Sequence, residues 1–395
     1  MTAISPKPMR DFDLEVFFSK WEFTAVHHMT ASDLESLSMK DLLSMAGAQD
    51  REAFENLWLG YTETWGAPAL RAEIASTYEN MADSNILCLA GAGEGLYGVP
   101  KVLLGKDDHV VVPTPNYQGA ETVPLAICEV SGVPLDYTAP DGNAPGGWRL
   151  DADRLRAAIQ PNTKLISLNF PQNPTGMLMP RDDLDAVVGL CREHGIYLLS
   201  DEVYRGVELN PRDRMPQIAD IYERGISLNV MSKAYGLPGL RIGWIASKDK
   251  DHLQKVERYK HYLSICNSGP SEVLALIALR AREQILARNH NIMMRNAVAL
   301  EKVFADFPGL FEWIRPMGGC VGFPRYLGPD GVEEFCRKLI EDSGILLLPS
   351  SIYKSELGST PPDHFRIGIG RDQVFTNGLA AMRAHIEAHY PEFRA

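Results

Sequence analysis

Six short apolar runs, at 86–90, 109–112, 164–168, 196–199, 226–231 and 242–246, alternate with stretches of helical period in the middle of this chain. Short runs without polar alternation are buried on both faces, and that requires a mostly parallel sheet covered by helices. An α/β fold is therefore expected. The chain has 395 residues, more than one ordinary core supports, so a second and smaller α/β unit should follow. Runs at 311–315, 319–326, 345–348 and 365–369 read as its strands, and 331–342 and 373–389 as its helices. Leu274, Ile277, Ala281 and Ile285 mark one face of a helix leading from the first unit to the second. The expected division is an N-terminal arm and substrate-side segment over 1–50, a large domain over 51–269 ending at the Gly269-Pro270 pair, and an interdomain helix with a small domain over 270–395.

Three of the strands end in groups with chemistry to offer. The run Lys164 to Leu168 enters Asn169-Phe170-Pro171-Gln172-Asn173-Pro174-Thr175-Gly176, whose Asn-Pro and Thr-Gly pairs mark a turn. Ile196 to Leu199 ends in Ser200-Asp201-Glu202-Val203-Tyr204, and Ile226 to Met231 delivers Ser232-Lys233 with Arg241 close behind. Open α/β sheets bind ligands outside the carboxyl ends of their strands, so an amide, a carboxylate and an amine are expected at one sheet edge. A lysine forms a Schiff base with an aldehyde once its ammonium loses a proton, while a serine, backbone N–H groups and an arginine offer donors to a phosphate dianion. Pyridoxal phosphate, an aldehyde-bearing phosphate, fits that set. An isolated lysine in a glycine-containing loop is an ordinary surface residue; the neighbouring strand ends change the reading.

The ordered set Asn-Pro-Thr-Gly, Asp-x-x-Tyr, Ser-Lys with an arginine eight residues later, and Phe-Arg-Ile-Gly at 365–368 spans most of the chain. It resembles the fold-type I pyridoxal-phosphate enzymes of the class I/II aminotransferase group. The resemblance implies fold type I of the pyridoxal-phosphate-dependent transferases. It also implies an enzyme that moves an amino group between an amino acid and a 2-keto acid with ping-pong kinetics. Lys233 would carry the cofactor as a Schiff base and transfer the proton, and Asp201 would keep the ring nitrogen protonated. Tyr117 would stack on the ring, and Asn173 and Tyr204 would bond its phenolic oxygen. A phosphate cup falls at Ala92 and Gly93, where a strand, a glycine turn and a helix start aim unpaired N–H groups at an anion. Ser232 and Arg241 complete it, and Glu94 is left as structural.

Tyr61 matches a segment that reaches the phosphate of a neighbouring subunit, which implies a homodimer with shared active sites. Arg366 lies on an apolar strand where an unpaired guanidinium is costly, and the resemblance makes it the clamp for the substrate carboxylate beside Asn173. The plain alternatives are core packing for Tyr204, a packed surface aromatic for Tyr61 and a structural salt bridge for Arg366.

The segment Trp21-Glu22-Phe23, followed by Ser32-Asp33-Leu34-Glu35-Ser36, departs from the glycine-rich turn of many relatives. It is similar to the capreomycidine synthase subgroup, whose members eliminate and cyclise a hydroxylated arginine instead of transaminating. Asp33 or Glu35 would then meet a cationic side chain. The local alternative is that Ser32 or Asp33 caps a helix beginning near Leu34.

A formal net charge of −12 argues against a nucleic-acid partner. The first ten residues lack an apolar stretch of signal-peptide length, and no later run reaches the ~18 apolar residues of a membrane span, so a cytoplasmic location is expected. Cys88, Cys128, Cys191, Cys266, Cys320 and Cys336 are scattered without metal-ligand spacing. They read as reduced, buried small hydrophobes, and no metal is expected.

Overall fold

The computed structural model describes residues 8–141, 144 and 146–395, so residues 1–7 of the expected arm lie outside the described residues. Seven strands form the central sheet: β1 (Ile86–Leu89), β2 (His109–Thr114), β3 (Glu129–Pro134), β4 (Thr163–Asn169), β5 (Tyr197–Asp201), β6 (Gly225–Val230) and β7 (Gly243–Ser247). Their order is β1-β7-β6-β5-β4-β2-β3, and only β7 runs antiparallel to its neighbours. The six expected runs all fall on strands. The added strand, β3, lies at the sheet edge and is only partly buried, so Glu-Val-Ser-Gly-Val-Pro carries too weak an apolar signal to announce it.

Alternate residues of each strand serve opposite faces. On β4, Leu165 packs with Leu96, Val99, Leu253 and Val256 under the helices Ala92–Leu103 and Lys250–Lys260. Its neighbour Ile166 points the other way, toward Leu184, Val187 and Cys191 of the helix Arg181–His194. The sheet is thus dry on both sides. Cys88, Cys191, Cys320 and Cys336 are buried, as expected, whereas Cys128 and Cys266 are half-buried.

Beyond the sheet, Pro270 occupies the first turn of the helix Gly269–Arg280, where its missing N–H costs nothing. The single helix expected over Leu274 to Ile285 is broken at Ala281, and a second helix runs over Arg282–Ala305. The small sheet is short: Val321–Gly322 and Leu348–Pro349 flank Phe365–Gly368, both antiparallel. The expected strand over 311–315 contracts to Phe311–Glu312. Near the N-terminus His27–His28 pairs in parallel with Ile345–Leu346, which carries the following residues across the sheet's functional edge. No helix among the described residues is long and apolar enough to cross a membrane.

Trp244 on β7 is buried, and its indole N–H donates to the Tyr78 hydroxyl at 3.0 Å. Trp244→Ala should remove about 3–5 kcal/mol of stability, read as an earlier midpoint in urea unfolding of the cofactor-free protein.

Candidate active site

A cavity of about 370 Å³ opens at the carboxyl ends of β4, β5 and β6. Each wall is set by local chemistry. Past β4, the Asn169 carboxamide accepts from Asn173 N at 2.9 Å and donates to the Asp201 carbonyl at 3.0 Å, which locks the turn to the next strand. Gln172 accepts from both N and Oγ1 of Thr175, at 2.9 and 2.6 Å. Gly176 takes φ +68°, and a Cβ there would stand 2.3 Å from Pro316, so the turn's last position admits glycine alone. The turn presents Asn173 to the cavity.

Asp201 ends β5 inside the same cavity. Burial pushes its carboxyl up to about 6, against one hydrogen bond from Val203 N at 3.3 Å and the nearby Lys233. Lys233 follows β6, and burial holds its ammonium below the ordinary lysine value. Its Nζ donates to Ser32 Oγ at 2.9 Å. Tyr204 lines the cavity and donates its hydroxyl to the Ser32 carbonyl at 3.0 Å, and burial raises its pKa. Tyr117 forms another wall, tilted against Phe12 with ring centroids 5.1 Å apart.

Ala92 and Gly93 open the helix Ala92–Leu103 behind Gly91, which takes φ +97°. They line the cavity with Ser232 and Arg241, so the first N–H groups of a helix, a hydroxyl and a guanidinium converge. The guanidinium also lies close to the turn: a Cβ on Gly91 would meet Arg241 Nη2 at 2.7 Å. Glu94 is turned away, accepting from Ala90 N at 2.6 Å and Ser264 Oγ at 2.7 Å, which is a structural role.

Two predicted site residues do not line the cavity. Tyr61 is 83% exposed and is not among the lining residues. Arg366 is fully buried one hydrogen bond behind the wall: Nη1 donates to Asn173 Oδ1 at 3.4 Å and to the Tyr353 hydroxyl at 2.6 Å. Its other bonds go to Thr30, at 3.2 Å to Oγ1 and 2.7 Å to the carbonyl. The Phe18 and Tyr353 rings lie 5.8 Å from its guanidinium carbon. Among the described residues no carboxylate meets it, so the salt-bridge alternative is not what the fold builds. A buried cation with neutral partners only is poised for an incoming anion.

The N-terminal segment holds what sequence reading missed. No helix begins near Leu34; the helix is Met39–Ser44, capped by Ser38, whose Oγ accepts from Asp41 N at 3.1 Å. Ser38 satisfies the same rule six residues beyond Ser32, which is why the pattern misled. Asp33 lines the cavity but is bridged to Arg371 at 2.8 Å, and Glu35 accepts from Asp372 N at 2.8 Å. The carboxylates less committed to the protein are Glu15 and Glu22, both on the cavity wall. Burial, then Glu15 and Asp33, raise the pKa of Glu22. His28 also lines the wall, with Nδ1 buried and unpartnered; burial, then Arg366 and Arg371, lower it to about 4, so the ring is neutral. Adjacent histidines at 27 and 28 were the one available signal, and Tyr353 gave none.

These donors fit pyridoxal phosphate. A buried carboxylate with no direct ion pair among the described residues suits a pyridinium, a depressed lysine suits an aldehyde, and the helix start with Ser232 and Arg241 suits a phosphate. Residues 29–381 match the model of the family described as aminotransferase class I and II. The chain belongs to that family and is a pyridoxal-phosphate-dependent aminotransferase of class I/II. It is 25% identical to capreomycidine synthase of Streptomyces vinaceus, over 98% of this chain and 95% of that one. To arginine–pyruvate transaminase of Pseudomonas aeruginosa it is 29% identical, over 78% and 77%. Among solved structures, a pyridoxal-phosphate-dependent aminotransferase from Streptococcus suis superposes with a TM-score of 0.88 at 28% identity, covering 98% of this chain and all of that one.

Folding raises Asp201 from its ordinary 3.8 to about 6, so in that window the folded cofactor-free chain holds a proton that the unfolded chain releases. Its stability should therefore fall as pH rises from about 4 to 6. Asp201→Asn removes that cost. The cofactor-free variant should match the parent near pH 4 and exceed it at pH 7 by on the order of 3 kcal/mol in urea unfolding; equal stability at pH 7 would refute the assignment.

Proposed function

We propose that this chain moves an amino group between an amino acid and a 2-keto acid, with Lys233 as the amine that joins the cofactor's aldehyde. The observation that carries the reading is that Lys233, half-buried, and Asp201, buried, face one cavity. When bound, the cofactor supplies an electron sink for charge left at the substrate Cα. Asp201 holds the ring nitrogen's proton, because an ionised carboxylate beside a pyridinium favours the charged form. Ser232, Arg241 and the N–H groups of Ala92 and Gly93 hold the phosphate, and Tyr117 covers one ring face. Asn173 and Tyr204 bond the phenolic oxygen. Arg366 takes the substrate carboxylate in two parallel hydrogen bonds after exchanging Tyr353 and Asn173, and so orients the Cα hydrogen. Lys233, freed from the cofactor, removes that proton and redelivers it, its lowered ammonium pKa favouring the basic form.

The reading extends to a homodimer. Trp58, Leu59, Tyr61, Tyr262 and Ile265 expose large apolar surfaces, and Thr62 Oγ1 bonds the Asn267 carbonyl at 2.9 Å, so the two segments adjoin. Tyr61 sits on this patch, which is where a residue serving a partner's phosphate belongs. A cytoplasmic location and the division at residues 50 and 269 complete the proposal.

A second reading has its own support. Glu15 and Glu22 give the cavity acidic walls, and His28 gives it a neutral imidazole with a free Nδ1. A basic amino acid would find counter-charges there. A general acid near its side chain would assist elimination and cyclisation, the chemistry of the capreomycidine synthase relative's subgroup. Both readings share Lys233, Asp201 and Arg366.

Mixing purified holoenzyme with single amino acids, basic ones included, and following cofactor absorbance with product mass separates them. Transamination gives a lasting amine form of the cofactor that a keto acid reverses, while elimination gives a cyclised or dehydrated product without keto acid. Lys233→Ala should lower turnover by about 10²- to 10⁴-fold in either case; full turnover would overturn both. Glu22→Gln should raise KM for arginine with little change for an uncharged amino acid, by about five- to tenfold if one carboxylate bond worth ~1 kcal/mol is lost.

A further inference from the structure

We propose that Asp342, His385 and His389 form a binding site for a divalent transition metal ion of the zinc class, remote from the cofactor cavity. Asp342 lies in the last turn of the helix Val332–Ser343, and the two histidines stand one turn apart near the end of Gln373–His389. One ligand atom from each of the three lies within 4.8 Å of the others. None of them lines the active-site cavity.

His385 carries the argument. It is 4% exposed, and its Nδ1 lies 3.0 Å from Ser343 Oγ. Its Nε2 is buried with no hydrogen-bond partner. A neutral imidazole has one donor and one acceptor nitrogen. With the proton on Nδ1, given to Ser343, the Nε2 lone pair is left bare in the protein interior, a costly arrangement that ordinary folds avoid. A metal ion would satisfy it, and the Nδ1–H to Ser343 bond is the outer contact by which ligating histidines are usually fixed.

The surroundings agree. The His389 ring lies with its centroid 4.3 Å from that of His385. Asp342 and His389 make no hydrogen bond or ion pair among the described residues, and both are exposed, so they can turn. Donors in a tetrahedral zinc sphere lie roughly 3.4 Å apart, so closing the site asks for a side-chain rotation of little more than an ångström. The nearby cation, Lys338, is engaged by Asp330 at 2.8 Å and does not compete for Asp342. Two imidazoles and one carboxylate favour zinc, nickel or copper over magnesium or calcium. Cysteine spacing, the basis for expecting no metal, could not reveal a site built from two helices.

Titration of the cofactor-loaded protein with zinc ion alone, by calorimetry and by competition with a chelating dye, tests the site. One zinc per chain is expected, with a rise in melting temperature, because the ion ties two helices of the folded state together. His389→Ala and Asp342→Asn change exposed residues and should fold normally while weakening binding at least about tenfold, since removing a ligand costs no less than removing its outer-shell partner. Absence of stoichiometric binding to the parent at tens of micromolar zinc would overturn the proposal. Unchanged affinity in either folded variant would do so too.

Discussion

Three charged groups, Asp201 and Arg366 buried and Lys233 half-buried, are gathered around one cavity without a direct ion pair to any of them among the described residues. Each departs from its comfortable state in a direction set first by burial: the acid toward neutrality, the amine toward the free base. The arginine cannot neutralise, so it gathers Thr30, Asn173 and Tyr353 instead. Such a constellation costs stability by itself and recovers it when complementary charges arrive. The cofactor brings a pyridinium and an aldehyde, and the substrate brings a carboxylate. The protein without ligands is therefore an incomplete electrostatic structure, and its apolar sheet is what keeps the unmatched groups in place.

That scaffold was largely legible in the chain because its signal is local. Double-sided burial turns a strand into a continuous apolar run, and β4, β5 and β6 each deliver a polar residue at the end of such a run. Asn173, Asp201 and Lys233 could be read from that pattern alone. β3 could not, since an edge strand faces water and loses the apolar run that would mark it. The break at Ala281 escaped for a different reason: both helices keep burying the same period, so the apolar face continues across the interruption.

The rest of the site was illegible because it is assembled across the chain. Ser32 reaches Lys233 over 201 positions and Thr30 reaches Arg366 over 336. No periodicity encodes such contacts. They follow from the short parallel pairing of His27–His28 with Ile345–Leu346, two residues long and invisible as a pattern. Asp33 and Glu35 also have partners far along the chain. Arg371 and Asp372, just past the strand that carries Arg366, bond their carboxylates, and Asp33 lines the cavity all the same.

This division of labour bears on how one framework can serve different chemistries. In the proposed reading the central strand ends would supply base and ring partner, Lys233 and Asp201, and Arg366 of the small sheet the carboxylate clamp, so these groups would set the loss of a proton from the substrate Cα. Where the electrons go next depends on what lies beside the substrate's own side chain, and that wall belongs to the N-terminal segment. Glu15 and Glu22 lie at or next to the helix Asp13–Trp21, and His28 follows on the short strand. The wall is held by Leu14 and Phe18 in the core and by the strand pairing of His27–His28, outside the central sheet itself. In the proposed second reading an acidic wall would favour a cationic side chain, and Glu22, whose pKa burial raises, would be the group placed to protonate a departing one. A backbone turn in the same place would offer only hydrogen bonds. On that proposal the outcome of the reaction would be governed by the part of the chain least visible in its sequence pattern, while the part most visible would be common to every outcome.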